Sequence, residues 1–549
     1  MRYRITKLTA LLVIVATLAT ACEDEVNIPR NAAVVAVTAN TSLSAWLDGS
    51  VDAFNRASVK TQSGKPAYAV ITYEEAGETV RNIADGAELP TLWIPDDEVW
   101  TSVLAQRGQA VFQGNCQSTA TSPLVIAMWR PIAEALGFPG RSLGWLDVGS
   151  VAADPSAWEY YSGGNFGPAL NIGHTHPGLS ASGASTMLAI VQAARSKTEA
   201  VSLADVQEPI VQASVAAFEG TVALFSQSPE KLGKTLQERG INYLAAAVVY
   251  ESTVVNYGGG GENGIVAVYP FEGTFMATHP ACVSSAASTE QQEAARLLRD
   301  FLVGVDAQKA ALAEGLRPVN PDVALGAPLD AEHGVDTSKP TARFNPPSAD
   351  TIFAVAELWQ TSRKPVNLVM LLDTSGSMRG SKIDTLRGAA VQFVEQMGDD
   401  DYLTLIPFAS RPQALFEHQK VRDVREQAIE EIRSLNANGN TSLYDSIGVA
   451  AEILARTSGS QETNAMVVLS DGQDTSSTRY GFSDDLVTVA SDNDTTVFTI
   501  GYGEDADENV LKRLSSRGRG SYFSGTVANI AAIYEEMSAA FGGSAGIGR

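Results

Sequence analysis

Five oxygen-bearing side chains in the last third of the sequence have the types and spacing to do chemistry: Asp373, Ser375 and Ser377 in "LLDTSGSM", Thr441 in "NGNTSLYDS", and Asp471 in "VVLSDG". The first and last groups follow apolar runs that read as buried strands, and Thr441 lies in a Gly/Asn-rich loop before a helical pattern. Three chemistries suit such residues: half of a two-carboxylate acid–base site, a turn with a helix cap, or a site for a hard cation. An acid pair sharing a proton needs a second loop of the same kind, and the nearest candidate, "LSDGQ", lacks the Thr. A cap explains the serines but neither Thr441 nor Asp471. A divalent cation such as Mg2+ takes oxygen ligands in near-octahedral geometry and keeps some waters, so hydroxyls and carboxylates from three loops fit it.

Those loops need a parallel sheet behind them, since ligands gather at the carboxyl ends of its strands. The sequence supplies the pattern twice. From Ala33, strand-like "AVVAVTA", "AYAVITY" and "LPTLWIP" alternate with helical "LSAWLDGSVDAFN", "ETVRNIADG" and "DEVWTSVLAQRG". "PLVIAMW", "LAAAVVY" and "GIVAVYP" read as further strands, before two amphipathic helices. Arg317 to Asp350 is Pro-rich and aperiodic, an extended connection, and "TIFAVAELWQTSRK" after it is helical. "VNLVMLLD" then opens a second series, with "DYLTLIPFA", "NAMVVLSDG" and "TTVFTIGYG" as strands. The alternation argues for βαβ units and an α/β fold in both halves.

The ordered set Asp-x-Ser-x-Ser, Thr, Asp resembles the metal-ion-dependent adhesion site of the von Willebrand factor A (VWA) domain, over roughly Pro365 to Phe541. The resemblance implies a Rossmann-like fold, a central mostly parallel sheet flanked by helices. It implies Mg2+, or Mn2+ or Ca2+, held directly by Ser375, Ser377 and Thr441, with Asp373 and Asp471 acting directly or through water. A carboxylate from a partner protein would take an open position. The first half resembles a two-lobed bacterial extracellular solute-binding protein of the type that includes molybdate binders, through "TANTSLSAWL", "TSPLVIAMW", "HPGLSASGAS", "AAAVVYES" and "VYPFEGTF". Hydroxyls at helix starts present free N–H groups and a positive dipole end to an anion. Thr41, Ser42, Ser122, Ser180 and Ser182 are therefore the candidate ligand contacts, with Tyr250 as a wall or crossing-strand residue; the alternative is that each Ser caps its helix. "EEAGET" departs from the anion-binding pattern, because Glu74, Glu75 and Glu78 disfavour a small anion.

Lys and Arg number 39 against 63 Asp and Glu, a net charge of −24 that repels nucleic acid and anionic lipid and favours cationic partners. Arg2, Arg4 and Lys7 precede an apolar run from Leu8 to Leu18 that is shorter than the ~20 residues needed to span a bilayer. This reads as an export signal. Its end, "LATAC", resembles a lipoprotein lipobox, which implies cleavage before Cys22 and a lipid anchor there as the only membrane attachment, on the outer face of the cell membrane or another envelope membrane. In an oxidising compartment the two remaining cysteines, Cys116 and Cys282, suggest a disulfide; the alternative is two buried thiols.

The expected organisation is a signal peptide over 1–21, a tether over 22–32, the solute-binding-like domain over 33–316, a linker and helix over 317–363, the VWA domain over 364–541 and a flexible tail over 542–549. His174 and His176 in "GHTHPG" could form half a transition-metal site, with a solvent-facing loop as the alternative. "GDDDY", Gly398 to Tyr402, reads as a solvated turn. No nucleophile–base pair stands in a recognisable setting, so no enzyme is expected. The expected function is a surface or periplasmic lipoprotein that docks a protein through its metal site and holds a solute in its cleft. The alternative is the substrate-binding component of an importer, with the VWA domain as an accessory.

Overall fold

The computed structural model describes residues 28–459, 462–492 and 495–543; Cys22 and the signal segment lie outside them. The alternating runs build three sheets. In the first lobe, Ala33–Ala39 pairs in parallel with Ala67–Tyr73 on one side and Leu92–Ile94 on the other, and Pro280–Val283 and Cys116–Ser118 add antiparallel. In the second lobe, Ala120–Trp129 runs antiparallel to Ala246–Tyr250, which pairs in parallel with Ile172–Thr175. The first half is thus more mixed than the βαβ pattern predicts, because the chain enters the second lobe along Ala120–Trp129 and leaves it at Met276–Ala277 beside that same strand.

The lobes meet where the chain crosses between them. Thr119 donates from both its N–H (3.2 Å) and its hydroxyl (2.6 Å) to the carbonyl of His279. Cys116 and Cys282 face each other across an antiparallel pair at this neck and form a disulfide, S–S 2.08 Å.

The Pro-rich connection is extended but packed. Leu329, Val335 and Phe344 are buried, with the Phe344 ring 5.3 Å from that of Phe275. Its apolar residues are too sparse for periodicity yet still leave water. The helix Ala349–Ser362 then leads to Val366–Asp373, a strand buried along its whole length, as a run of apolar residues covered by helices on both faces requires. The third sheet has Val366–Asp373 at its centre, flanked by Tyr402–Phe408 and Thr463–Ser470, both parallel to it. Thr496–Tyr502 and Tyr522–Gly525 extend it in parallel, and only the edge strand Phe416–Lys420 is antiparallel.

The last helix of the VWA module, Ile530–Ala540, lies against both lobes. Glu535 pairs with Arg81 of the first lobe (2.6 Å) and Glu536 with Lys231 of the second (2.7 Å). His174 and His176 belong to this seam, neither to a metal site nor to a solvent-facing loop. His174 Nε2 pairs with Glu219 at 3.0 Å, and Glu219 also accepts from Trp359 Nε1 at 2.9 Å. His176 Nδ1 accepts from the Gly178 N–H, so its Nε2 carries the proton and donates to the Gly543 carbonyl (2.5 Å). Gly542 and Gly543 are therefore packed, although the sequence reads as a loose tail from residue 542.

Candidate metal centre and interlobe cleft

Asp373 ends the central strand and Asp471 follows its parallel neighbour, so the two carboxylates emerge side by side from the sheet. Asp373 is fully buried; its Oδ1 accepts from the Ser375 N–H (2.8 Å) and its Oδ2 from the Ser470 hydroxyl (2.7 Å). Burial pushes its carboxyl above the usual range, and the charge of Asp471 adds to this. Ser375 Oγ and Ser377 Oγ are 2.9 Å apart, and Ser377 Oγ donates to Asp471 Oδ1 at 2.6 Å. The loop carrying Thr441 is tied to this turn: the Gly376 N–H donates to the Gly439 carbonyl and the Asn438 N–H to that of Thr374. Gly439, at φ 79°, has room for no side chain, since a Cβ there would lie 2.7 Å from Ser410 Oγ. A Cβ on Gly472 would be 3.9 Å from both Ser377 Oγ and Thr441 Oγ1, which places these hydroxyls on one side of the Asp471 loop.

All five sequence-predicted residues thus converge. The donor set, two carboxylates and three hydroxyls, is hard oxygen throughout and fits Mg2+, Mn2+ or Ca2+. One positive group already sits there: Lys382 Nζ donates to Asp471 Oδ2 at 2.6 Å. Lys382 and Ser470 are the residues that motif reading missed. Ser470 stands directly before Asp471, a usable signal; Lys382 gives none.

The candidate cleft residues divide. Ser42 bonds locally to Asn40, its N–H donating to Asn40 Oδ1 at 2.9 Å, and Ser122 Oγ accepts from the Ser252 N–H at 3.2 Å. Both are buried and bonded within their own lobes. Thr41, Ser180 and Tyr250 do converge, but on carboxylates of this chain. Thr41 and Ser180 donate to the two oxygens of Glu75, Ser180 at 2.5 Å, and Ser182 backs Ser180 at 3.0 Å. Tyr250 OH donates to Asp96 Oδ1 (2.6 Å) and Asn40 Nδ2 to Asp96 Oδ2 (2.9 Å). Glu75 and Asp96 belong to the first lobe, Ser180 and Tyr250 to the second, so these bonds close the cleft directly. The expectation of hydroxyls waiting for an anion is corrected: carboxylates occupy the space.

Glu230, at the start of the helix Pro229–Arg239, adds a third acid to the seam. Burial pushes Asp96 up to about 7 and Glu230 up to about 8, the latter also through the charge of Asp96. Burial raises Glu75 well above its usual value, helped by Asp96 and Glu230. Sequence reading missed Asp96 and Glu230, each of which reads as an ordinary residue after a strand or at a helix start.

These shifts predict a pH dependence. The folded state holds protons on these acids more tightly than the unfolded chain does, so their contribution is complete below the unfolded carboxyl range and is lost as pH rises through about 7 to 8. Calorimetry from about pH 5.5 to about pH 8.5 should find the melting midpoint of the two-lobed module falling by several degrees, with a shallower fall in Glu230→Gln.

Comparison with known proteins agrees with both halves. Residues 35–317 match the family model of the bacterial extracellular solute-binding protein, and residues 367–536 that of the von Willebrand factor type A domain. An uncharacterised protein of Synechocystis is 32% identical over 163 residues, covering 29% of this chain and 37% of that protein. Inter-alpha-trypsin inhibitor heavy chain H4 of Sus scrofa is 27% identical over 174 residues, covering 30% and 18%. The chain spans well under half the length of these relatives. Among solved structures, a periplasmic thiamin binding protein aligns with a TM-score of 0.44 at 12% identity, over 60% of this chain and 96% of that one. The vWF domain of a type V pili tip protein from Porphyromonas gingivalis aligns with a TM-score of 0.28 at 16% identity, over 32% and 94%. With the solute-binding model matched over more than half of its residues, the chain belongs to the bacterial extracellular solute-binding protein family and carries a von Willebrand factor type A domain behind that module.

Proposed function

We propose that this is an exported, non-enzymatic binding protein, anchored by lipid at Cys22, whose VWA module docks a protein partner through a divalent cation and whose two-lobed module takes a small solute. The observation that carries the docking role is the convergence of Asp373, Ser375, Ser377, Thr441 and Asp471 at the carboxyl ends of two adjacent central strands. Ser375, Ser377 and Thr441 would hold the ion, with Asp373 and Asp471 holding it or its waters. When bound, the cation supplies concentrated positive charge to which a partner carboxylate can bind. The chain's own residues prepare that place. The Ser375 N–H and Ser470 hydroxyl orient Asp373, Ser377 orients Asp471, and two neighbouring carboxylates repel each other unless a cation lies between them. Membership of the solute-binding family supports the second role.

Isothermal titration of the full chain with Mg2+ and Mn2+ tests the docking site. Asp373→Ala is expected to weaken binding by more than about 100-fold, beyond the 10–100-fold typical of outer partners, while the circular dichroism of the fold is retained. Equal affinity in wild type and variant, or no binding by the wild type, would sink the assignment.

A further inference from the structure

The seam between the lobes holds three carboxylates with no positive charge among them, Glu75 and Asp96 fully buried and Glu230 partly so. Glu75 and Asp96 come from one lobe and Glu230 from the other. The basic side chains on the two helices that follow these acids are spent elsewhere. Arg81, on the helix after Glu75, pairs with Glu535, and Lys231, beside Glu230, pairs with Glu536, both on the last VWA helix. The imidazole between the two lobes beside Asp96, His279, packs edge-on to Tyr250 at 6.0 Å between ring centroids, and burial lowers it to about 3, so it carries no charge. The side chains that donate to Glu75 and Asp96 are neutral: Thr41, Ser180, Asn40 and Tyr250.

Buried carboxyls with no cation beside them escape the cost of charge by holding protons, as the raised values of all three acids show, and a cation entering the seam can take the place of those protons. Two further observations point to a missing ligand rather than to a self-sufficient network. Glu230 Oε2 is buried with no hydrogen-bond partner. One ring nitrogen of fully buried His279 is also left without a partner, the other facing the Pro95 carbonyl, while its backbone N–H donates to the Asp96 carbonyl at 3.0 Å. Both lie at the seam and both call for a polar group. Among the described residues no three His, Cys, Asp or Glu side chains converge closely enough to hold a metal ion. Carboxylates presented from both lobes suit instead a larger cation that brings its own N–H donors.

We propose that the interlobe cleft binds an organic cation, an ammonium- or amidinium-bearing solute, held between Glu75 and Asp96 of one lobe and Glu230 of the other. This rests on the reading of the first module as a solute binder and names its ligand class. Closure by Ser180 on Glu75 and Tyr250 on Asp96 describes the shut lobes, and a solute enters by their opening about the neck at Thr119 and His279.

The test is thermal unfolding of the full chain with spermidine, choline or argininamide, against sulfate, molybdate, glucose, Mg2+ and Ca2+. At least one organic cation is expected to raise the midpoint of the two-lobed module by several degrees, and Glu230→Gln, which keeps the side chain's shape, is expected to abolish that shift. At about pH 8.5, above the value of about 8 to which burial pushes Glu230, the same variant without ligand is expected to melt higher than wild type, because it removes a buried negative charge. A shift from an oxyanion or from glucose would overturn the cation assignment and leave solute binding standing. A Glu230-dependent shift from Mg2+ or Ca2+ alone would make this a metal site and overturn it too. No shift from any probe, or a ligand-free Glu230→Gln that melts lower, would mark the acids as structural, and with no shift the solute-binding reading falls as well.

Discussion

Loss of the Cys116–Cys282 bridge is expected to destabilise the two-lobed module by about 5 kcal/mol, through the unfolded chain more than the folded one. The bridge joins residues 166 apart in sequence, and the loop so closed contains the strands of the second lobe from Ala120–Trp129 to Met276–Ala277, leaving only Arg317–Pro318 of that sheet outside it. Opening such a loop releases chain entropy in the unfolded state that the chain-entropy relation puts at roughly 5 kcal/mol. The folded state has little to lose. Pro280, Ala281 and Cys282 stay paired with Ser118, Gln117 and Cys116 through the backbone, and a free cysteine packs as a small hydrophobe. Guanidinium unfolding of the oxidised protein against a Cys116→Ala/Cys282→Ala variant measures the difference as a lower midpoint for that module. The VWA transition should move far less, through its contacts with the lobes alone, since its cysteine-free sheet shares no strand with either lobe. A loss below about 1 kcal/mol would mean that the unfolded chain is already held compact between these residues.

What could be read from the sequence was what neighbours in sequence decide. "VNLVMLLD" could only be a buried strand, and its terminal Asp373 with Ser375 and Ser377 forms one turn, so this part of the metal centre was legible. Lys382 was not, because its partner Asp471 lies 89 residues away and nothing local marks it. The cleft repeats the lesson. Helix-start hydroxyls at Thr41 and Ser180 were legible as donors, but what they donate to is set by pairings across 34 and 105 residues. Those pairings turn an apparent anion site into an acid cluster. "GHTHPG" misled for the same reason: two imidazoles two residues apart fit a metal pattern, while their actual partners, Glu219 and Gly543, stand 45 and 367 residues away. "GDDDY" reads as one run of like charges, yet Asp399 and Asp400 are exposed while Asp401 is buried on a cation that the run gives no hint of.

That cation is Arg363, and Arg363→Met is expected to cost about 3–5 kcal/mol, the usual loss when one partner of a buried ion pair is removed. The two side chains are each 3% exposed and meet as a fork, with N–O distances of 2.9 and 2.8 Å. Asp401 also accepts from the N–H groups of Val366 (2.9 Å) and Gly398 (2.7 Å), which fixes the start of the central strand against the loop before its neighbour. Methionine fills the stem's volume but leaves the carboxylate facing two N–H groups and no positive charge. A cavity of about 680 Å³ lined by His176, Trp359, Arg363 and Asp401 adjoins the pair. Water entering it would partly solvate the orphaned carboxylate and set the loss nearer about 3 kcal/mol. Arg363 stands between the helix Ala349–Ser362, whose Trp359 is bonded to Glu219 of the first module, and the strand Val366–Asp373 of the VWA module. The loss should therefore fall on the VWA transition and on its coupling to the lobes, seen by calorimetry as two transitions drawing apart. The seam's other ion pairs, Arg81 with Glu535 and Lys231 with Glu536, are partly exposed, and alanine at either Arg81 or Lys231 should cost no more than about 1 kcal/mol. If Arg363→Met costs no more than those variants, the fork is not what ties the two modules together.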